Sequence, residues 1–310
     1  MGELRKDYIL NEWVIIATER AKRPSDYIQK SIPTKTKQDK FAPGMEKYTP
    51  HETYVWPPTG KWQIRCFENM FPAVKPMGKS NVETHNAFYT FSDNFGYHEV
   101  LVETPSKTKQ IWDLTEKELL QVLIGYKYRF EDLSKKPGIS YVTIFKNQGQ
   151  SAGTSILHSH SQIIAFNHVP RRVEDKTTAI KKHERCPYCT IIFSERDSIR
   201  KCFENEEFIA FCPYASRFPF ELWIFPKQHS RSLLDLNLPE LSKIMLKALN
   251  RLKTLKASFN YELYYSPFGA DLHFHIEITP RFTIWAGFEQ FGTIINPMPP
   301  EEAAKFYREK

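Results

Sequence analysis

The chain carries an internal repeat, and this repeat limits its possible folds more than any other feature. The capping box Thr115-x-x-Glu118 predicts the start of one helix, which Pro137-Gly138 should end. Leu238-Pro239-Glu240 predicts the start of a second helix at the corresponding place in the other half. Apolar residues recur at helical spacing after both starts, so each helix should bury one face.

Strand-like runs surround the two helices in the same order. Residues 98–103 and 141–145 flank the first helix, and residues 220–225 and 261–265 flank the second. The run after each helix leads to a His-x-His, at His158-Ser159-His160 and at His273-Phe274-His275. The sequence therefore predicts two copies of one strand-strand-helix-strand unit, in residues 1–168 and 169–310. Strands with helices on one face indicate an α+β fold with mainly antiparallel sheets and helices packed on them.

Length and composition agree with a protein of two domains. The chain has 310 residues, of which 41% are hydrophobic and 25% charged, and this excludes collagen-like and largely disordered classes. No apolar run approaches the roughly 18 residues of a membrane helix, and the amino terminus lacks a signal-peptide core. We therefore expect a cytoplasmic protein that binds no membrane.

The net charge of +7 suits an anionic partner without identifying one. Lysines cluster between Lys30 and Lys40 and again at residues 107–109, where solvated loops are the ordinary explanation. No basic-aromatic motif or recognition helix accompanies them, so we expect no nucleic-acid partner.

The cysteines point to a metal site. Their number is five, which is odd, and no export signal is present, so a disulfide framework is not expected. Cys186-Pro187-Tyr188-Cys189 is different, because two thiolates three positions apart can reach one metal ion. A redox pair is the alternative for any C-x-x-C, but the strand-then-helix context of such a pair is missing here. The remaining cysteines, Cys66, Cys202 and Cys212, are interpreted as free thiols.

The first His-x-His stands in a stretch rich in small and hydrogen-bonding residues, from Asn147 to Gln162. On an extended strand His158, His160 and Gln162 would face one surface. Two structural histidines would be the simpler interpretation, but it explains poorly why Asn, Gly, Ser and Gln gather around them.

This stretch resembles the galactose-1-phosphate uridylyltransferase family, the nucleotidyl-transferring branch of the histidine triad superfamily. The positions that agree with the family are Asn147, Gly153, Ser155, His158, His160 and Gln162. Shorter agreements occur in residues 20–24, 69–73, 98–105 and 287–289, so the resemblance covers nearly the whole chain. The family is also built from two repeated halves and is typically dimeric, which implies a homodimer.

The resemblance implies a two-step transfer through a covalent intermediate. His160 would attack the α-phosphorus of UDP-glucose, release a hexose 1-phosphate and pass UMP to galactose 1-phosphate. Its other implied roles fall into three groups. Gln162 and Ser155 would donate to phosphoryl oxygens, and Arg20 and Arg23 would hold phosphates. Nucleotide and sugar would be held by Asn69, Phe71, Asn147, Gly153 and Glu289, the last through hexose hydroxyls.

The resemblance also implies metal ligands, and here the halves differ. In the second half the set is complete as Cys186, Cys189, His229 and His273, a closed tetrahedral shell suited to one structural zinc. In the first half Asp39 and Ala42 stand where the family has C-x-x-C, and Lys107 replaces a histidine. We therefore expect that the first site has lost its metal and that His158 positions the loop of the nucleophile.

Three questions stay open at this point. His275 matches His160 under the repeat but has Glu277 where Gln162 stands, so a structural or ligand role is favoured over catalysis. The same nucleophile could serve an ADP-glucose phosphorylase or a dinucleoside-polyphosphate phosphorylase, which use inorganic phosphate as acceptor. A noncatalytic nucleotide-binding protein is the third alternative, although a binder has no need of a free nucleophile between phosphate donors.

Overall fold

The computed structural model of the chain describes residues 3–17 and 39–309. The sites at Arg20 and Arg23 lie outside the described residues. In chain order, the strands of the described residues are β1 (Glu3–Lys6), β2 (Trp13–Ile16), β3 (Glu52–Trp56), β4 (Ile64–Glu68), β5 (Glu83–His85), β6 (Tyr89–Phe91), β7 (Gly96–Val102), β8 (Tyr141–Gln148), β9 (His160–Phe166), β10 (Lys201–Glu204), β11 (Phe208–Phe211), β12 (Leu222–Pro226), β13 (Phe259–Tyr264), β14 (His275–Pro280) and β15 (Thr293–Asn296). The helices are α1 (Glu116–Ser134), α2 (Arg171–Ile180), α3 (Pro187–Glu195), α4 (Leu238–Thr254) and α5 (Pro300–Arg308).

Both predicted helices are present and begin where their capping signals stand. Thr115 caps α1, accepting from the Glu118 N–H while the Glu118 carboxylate accepts from the Thr115 N–H. Asn237 caps α4, and Pro239 lies in its first turn, where a missing N–H costs nothing. The inner face of each helix is buried along its whole length, as the apolar spacing predicted.

The chain divides into two compact units. The first unit contains residues 39–146 and 156–174, and the second contains residues 3–17, 147–155 and 175–309. In the first unit an antiparallel sheet has the strand order β3-β4-β7-β9-β8, and α1 packs on β3, β4 and β9. A separate exposed hairpin, β5-β6, follows β4.

The second unit repeats this topology strand for strand. Its antiparallel sheet has the order β10-β11-β12-β14-β13, and α4 connects β12 to β13 as α1 connects β7 to β8. A second sheet is made by β1, β2 and β15, in which β2 and β15 are parallel. The predicted α+β fold of two repeated units with mainly antiparallel sheets is confirmed.

No helix in the described part of the chain combines the length and apolar character that crossing a membrane requires.

Candidate active site and candidate metal centre

His160 is the first residue of β9 and lies opposite Val102 of β7. The Nδ1 atom of His160 is 2.8 Å from the backbone oxygen of His158. Because a carbonyl only accepts, Nδ1 carries the proton and donates it to this bond, which leaves a lone pair on Nε2. Burial, helped by the nearby cation of Lys146, lowers the pKa of His160 to about 4. The ring is therefore neutral at pH 7, and the lone pair on Nε2 is available for nucleophilic attack.

An apolar wall holds the two histidine rings of the first His-x-His. Phe41 meets the His160 ring edge-on at 5.3 Å between centroids, and the His158 ring at 6.2 Å. Phe41 itself packs with Phe67, Val100 and Val102 in one buried cluster. This packing restricts the rotation of the His160 ring.

Gln162 lies two residues beyond His160 on the same strand, where side chains alternate in direction. Its Oε1 is 2.9 Å from Nε2 of His98 on the neighbouring β7. Nδ1 of His98 accepts from the backbone N–H of Ala73 at 3.0 Å, so Nε2 carries the ring proton and donates to Gln162. The amide NH₂ of Gln162 is thereby left as the donor end. Nδ2 of Asn69 also lies 3.1 Å from Nε2 of His98, but both atoms carry hydrogen in this tautomer, so Asn69 is a neighbour of this pair and not a hydrogen-bond partner.

A buried ionic network lies next to His160. Nζ of Lys146 contacts Glu103 at 2.7 Å and the backbone oxygen of His160 at 3.0 Å. Ser159 and Ser161 both donate to the Glu103 carboxylate. Burial would raise the pKa of Glu103, but Lys146 and these hydroxyls hold it below its ordinary value. Since Lys146 and Glu103 are only 1% and 0% exposed, the pair is an internal anchor for the start of β9.

His158 precedes β9 and uses both ring nitrogens. Nδ1 is 2.9 Å from Oδ2 of Asp39, and Nε2 is 2.7 Å from the backbone oxygen of Thr104. Asp39 stands where the family has the first cysteine ligand, and it contacts His158 directly. Ala42 is buried and offers no ligand atom, and Lys107 is exposed.

The remaining predicted substrate residues lie in different places. Phe71 is 85% exposed, and its N–H donates to Oδ1 of Asn69. Glu289 accepts from the N–H of Ala286 in the second unit. The loop of residues 147–155 also belongs to the second unit.

Within that loop the backbone takes a defined shape. Oδ1 of Asn147 accepts from Asn260 at 2.8 Å, and Nδ2 of Asn260 also lies 2.9 Å from the backbone oxygen of Ala152. Gly153 has a φ of +87°, a left-handed conformation that favours glycine. Ser155 follows on the exposed side of the loop. Asn147 therefore shapes the loop backbone, and Gly153 permits its turn.

The predicted metal ligands of the second unit come together. One ligand atom from each of Cys186, Cys189, His229 and His273 lies within 4.8 Å of the others. The Sγ of Cys189 is 3.5 Å from Nδ1 of His229 and 3.6 Å from Nδ1 of His273. Two ligands of a tetrahedral zinc, bound at roughly 2.3 Å for sulfur and 2.0 Å for nitrogen, are separated by about 3.5 Å. The four residues therefore fit a zinc ion.

The outer partners of the two histidines agree with this fit. Nε2 of His229 is 3.0 Å from Oδ1 of Asp271, and Nε2 of His273 is 3.1 Å from the backbone oxygen of Pro226. Each imidazole thus donates from Nε2 and keeps Nδ1 free for a metal. Burial, together with the nearby His229, lowers the pKa of His273 to about 3, so its ring is neutral as a ligand must be.

His275 has no exposed face. It is fully buried, and its Nε2 is 3.0 Å from Nζ of Lys176, which also binds Glu277 at 2.6 Å. Because its one lone pair is engaged by Lys176, His275 has a structural role in the second unit.

Sequence comparison identifies the family of this chain. A family model described as the N-terminal domain of galactose-1-phosphate uridyl transferase matches residues 2–170, more than half of the chain. The chain belongs to the galactose-1-phosphate uridylyltransferase family. A second model, described as a domain of unknown function, matches residues 114–305.

Relatives in this family have two different activities by name. An ADP-glucose phosphorylase of Arabidopsis thaliana is 32% identical over 99% of this chain and 92% of its own length. A galactose-1-phosphate uridylyltransferase of Thermotoga maritima is 30% identical over 100% of this chain and 98% of its own. The crystal structure of an Arabidopsis thaliana ADP-glucose phosphorylase with bound ADP-glucose aligns with a TM-score of 0.84 and 31% identity, covering 100% of this chain and 99% of that one. The similarity therefore supports an enzyme of the nucleotidyltransferase and phosphorylase type.

Three residues of the first unit were not predicted to act at this site. His98 stood in a recognised motif but had no assigned role, and Asp39 was noted only as a departure from the metal ligands. One sequence signal could have indicated Lys146, because a lysine at an inward position of the strand β8 needs a buried partner.

Proposed function

We propose that His160 carries a nucleotidyl group between two phosphate acceptors. Its Nε2 attacks the α-phosphorus of a nucleoside diphosphate glucose, so an N–P bond forms and the P–O bond to the bridging oxygen breaks. The electron pair leaves with glucose 1-phosphate. In the second step an acceptor phosphate oxygen attacks the same phosphorus, the N–P bond breaks, and its electron pair returns to Nε2. The observation that carries this proposal is the Nδ1–H bond of His160 to the His158 carbonyl, which directs the lone pair to Nε2.

The chain's own residues support the transferring phosphorus in this scheme. The amide NH₂ of Gln162, oriented by His98, donates to a phosphoryl oxygen as charge develops there. Ser155, Arg20 and Arg23 are proposed as further phosphate partners. The proposed nucleotide and sugar contacts are made by Asn69, Phe71, Asn147, Gly153 and Glu289.

Zinc has a structural role in this proposal. Cys186, Cys189, His229 and His273 would hold it with no open ligand position, and when bound it supplies a cross-link between α3, the end of β12 and the start of β14. We also infer a cytoplasmic homodimer. Sedimentation equilibrium would measure the oligomeric state of the purified protein.

The first candidate reaction is UMP exchange between UDP-glucose and galactose 1-phosphate. It is supported by the family match and by the Thermotoga maritima uridylyltransferase, which aligns with the whole chain. The second candidate is ADP-glucose phosphorolysis, in which inorganic phosphate is the acceptor. It is supported by comparable identity to the Arabidopsis thaliana enzyme and by the TM-score of 0.84 to the structure with ADP-glucose bound.

An acceptor assay separates the two reactions. Purified protein is given UDP-glucose with galactose 1-phosphate, or ADP-glucose with inorganic phosphate, and products are resolved by chromatography. UDP-galactose formation supports the first candidate, whereas ADP with glucose 1-phosphate supports the second. Binding of either nucleotide sugar without turnover under both conditions contradicts the enzymatic proposal.

A further inference from the structure

Residues 39–42 of the first unit and residues 186–189 of the second each form a turn closed by one backbone hydrogen bond. The N–H of Ala42 bonds to the oxygen of Asp39 at 3.4 Å, and the N–H of Cys189 bonds to the oxygen of Cys186 at 3.2 Å. Asp39 and Ala42 thus correspond to the two cysteines by backbone geometry as well as by sequence.

The first histidine of each His-x-His is held in the same way. His158 places Nε2 against the oxygen of Thr104 at 2.7 Å, and His273 places Nε2 against the oxygen of Pro226 at 3.1 Å. The third residue after each of these carbonyls is Lys107 in one unit and His229 in the other. All four ligand positions of the second unit therefore have a counterpart in the first.

The two units diverge at the remaining ring nitrogen. Nδ1 of His273 faces the Sγ of Cys189 at 3.6 Å, which leaves room for a metal between them. Nδ1 of His158 instead contacts Oδ2 of Asp39 directly at 2.9 Å. The His158 side chain is 1% exposed and that of Asp39 22%, so this contact is largely shielded from water.

We infer that Asp39 does in the first unit what a metal would do in the second: it is a positioning residue that fixes His158 and thereby aligns His160. Both partners of His158 are oxygen atoms, one from the Asp39 carboxylate at Nδ1 and one from the Thr104 backbone at Nε2, so the ring is held from both nitrogens. The other oxygen of Asp39 accepts from the N–H of Phe41 at 3.0 Å, which fixes the carboxylate to its own turn.

The alignment passes from Asp39 to the nucleophile in two steps. Asp39 holds the His158 ring, and the backbone oxygen of His158 accepts the Nδ1 proton of His160 at 2.8 Å. The same turn carries Phe41, whose ring packs against His160. Loss of the Asp39 carboxylate therefore loosens both the hydrogen bond and the apolar wall that orient Nε2. The catalytic consequence rests on the proposed function, but the correspondence of ligand positions does not.

Asp39→Ala and Asp39→Asn test the positioning role. Removing a residue that orients an imidazole typically costs about 10- to 100-fold in activity. We expect a loss in this range in the rate constant of nucleotidyl-His160 formation for Asp39→Ala, with the Kd for the nucleotide sugar unchanged. Asp39→Asn keeps the size of the side chain and an oxygen, guards against a folding defect, and should lose less. Glu131→Gln, on the exposed face of α1, is the control and should keep the wild-type rate.

The triple variant Asp39→Cys, Ala42→Cys, Lys107→His tests the correspondence itself. It should bind two zinc ions per chain where the wild-type chain binds one, and zinc should restore the rate that Asp39→Cys alone loses. A wild-type rate in Asp39→Ala, or a triple variant that still binds one zinc, overturns the inference. The zinc count requires no activity, so it remains decisive for the ligand correspondence even if no nucleotide forms an adduct and the proposed function fails.

Discussion

The imidazole of His98 donates from Nε2 to Oε1 of Gln162 at 2.9 Å, across neighbouring strands of one sheet. His98 pairs with Ile164, and Gln162 pairs with Val100, so the two side chains lie diagonally on the same face. The bond fixes which end of the Gln162 amide donates. The NH₂ group of Gln162 is therefore already oriented, and no conformational entropy is lost in orienting it when a substrate binds.

Replacing His98 should therefore harm transfer more than binding. In His98→Ala, Oε1 of the half-buried Gln162 loses its hydrogen-bond partner, and one such bond is worth about 0.5–1.5 kcal/mol, or roughly 2- to 10-fold in rate. We expect that loss in kcat with little change in KM, measured by steady-state kinetics. His51→Ala, at an exposed ring, is the control. A loss confined to KM would mean that His98 only helps to bind substrate.

Lys146 should contribute strongly to the stability of the first unit. Lys146→Met leaves the buried carboxylate of Glu103 without its cation, and breaking such a pair costs about 3–5 kcal/mol. Lys146→Met with Glu103→Gln should recover much of this free energy of unfolding, measured by urea denaturation. Lys135→Met, in an exposed pair with Glu131, should have no measurable effect. Equal losses in the single and double variants would contradict the argument.

The pH dependence of adduct formation should report the depressed pKa of His160. Burial and Lys146 lower this pKa to about 4, so the nucleophile stays neutral from pH 8 down to about 5. Below that range protonation blocks Nε2, and the rate should fall through about pH 4. Single-turnover rates across pH 4–8 measure this. A decline centred near 6.5, the ordinary value for histidine, would show that His160 is not buried as described.

The lowered pKa of His160 also reduces the free energy of unfolding of the protein at acidic pH. In the unfolded protein His160 takes up a proton near pH 6.5, whereas in the folded protein it does so only near pH 4. The free energy of unfolding therefore falls as the pH drops between these two values. From pH 7 to pH 5 this contribution is about 2 kcal/mol. His160→Asn lacks it and should lose correspondingly less stability over that interval, measured by urea denaturation at both pH values. An identical loss in both proteins would contradict the assignment.

The zinc assignment gives a stoichiometric prediction. Metal analysis of the purified chain should find about one zinc, because the complete set of four ligands found among the described residues lies in the second half. Cys189→Ser should lose this zinc and lower the melting temperature, whereas Cys202→Ala should keep it. Two zinc ions in the wild-type chain, or none, would contradict the assignment.

Much of the fold could be predicted because its signals are local. The Thr115 capping box, the apolar spacing of α1 and α4, and the alternation of their flanking strands all lie within short windows of sequence. The repeat then doubled each signal. The pairing of β2 with β15 could not be predicted, since it joins the two ends of the chain and depends on tertiary packing.

The same distinction between local and long-range signals applies to the candidate site. The C-x-x-C and the two His-x-His motifs are compact, so the metal ligands and the nucleophile could be proposed from spacing and resemblance, and the structure brings the four ligand residues together. The contact of His158 with Asp39 spans 119 positions, and that of Lys146 with Glu103 spans 43. Such partners become visible only when strand register is known, because a shift of one residue turns every side chain to the other face.

Peptide mapping after a single turnover shows whether His160 becomes covalently nucleotidylated. Wild-type protein and His160→Asn are incubated separately with UDP-glucose and ADP-glucose, quenched at alkaline pH, digested and analysed by mass spectrometry. We expect a nucleoside monophosphate on the peptide that contains His160, formed with one of the two donors and absent from the equally well folded variant. Turnover of either donor by His160→Asn, or an adduct on another residue, would contradict this expectation.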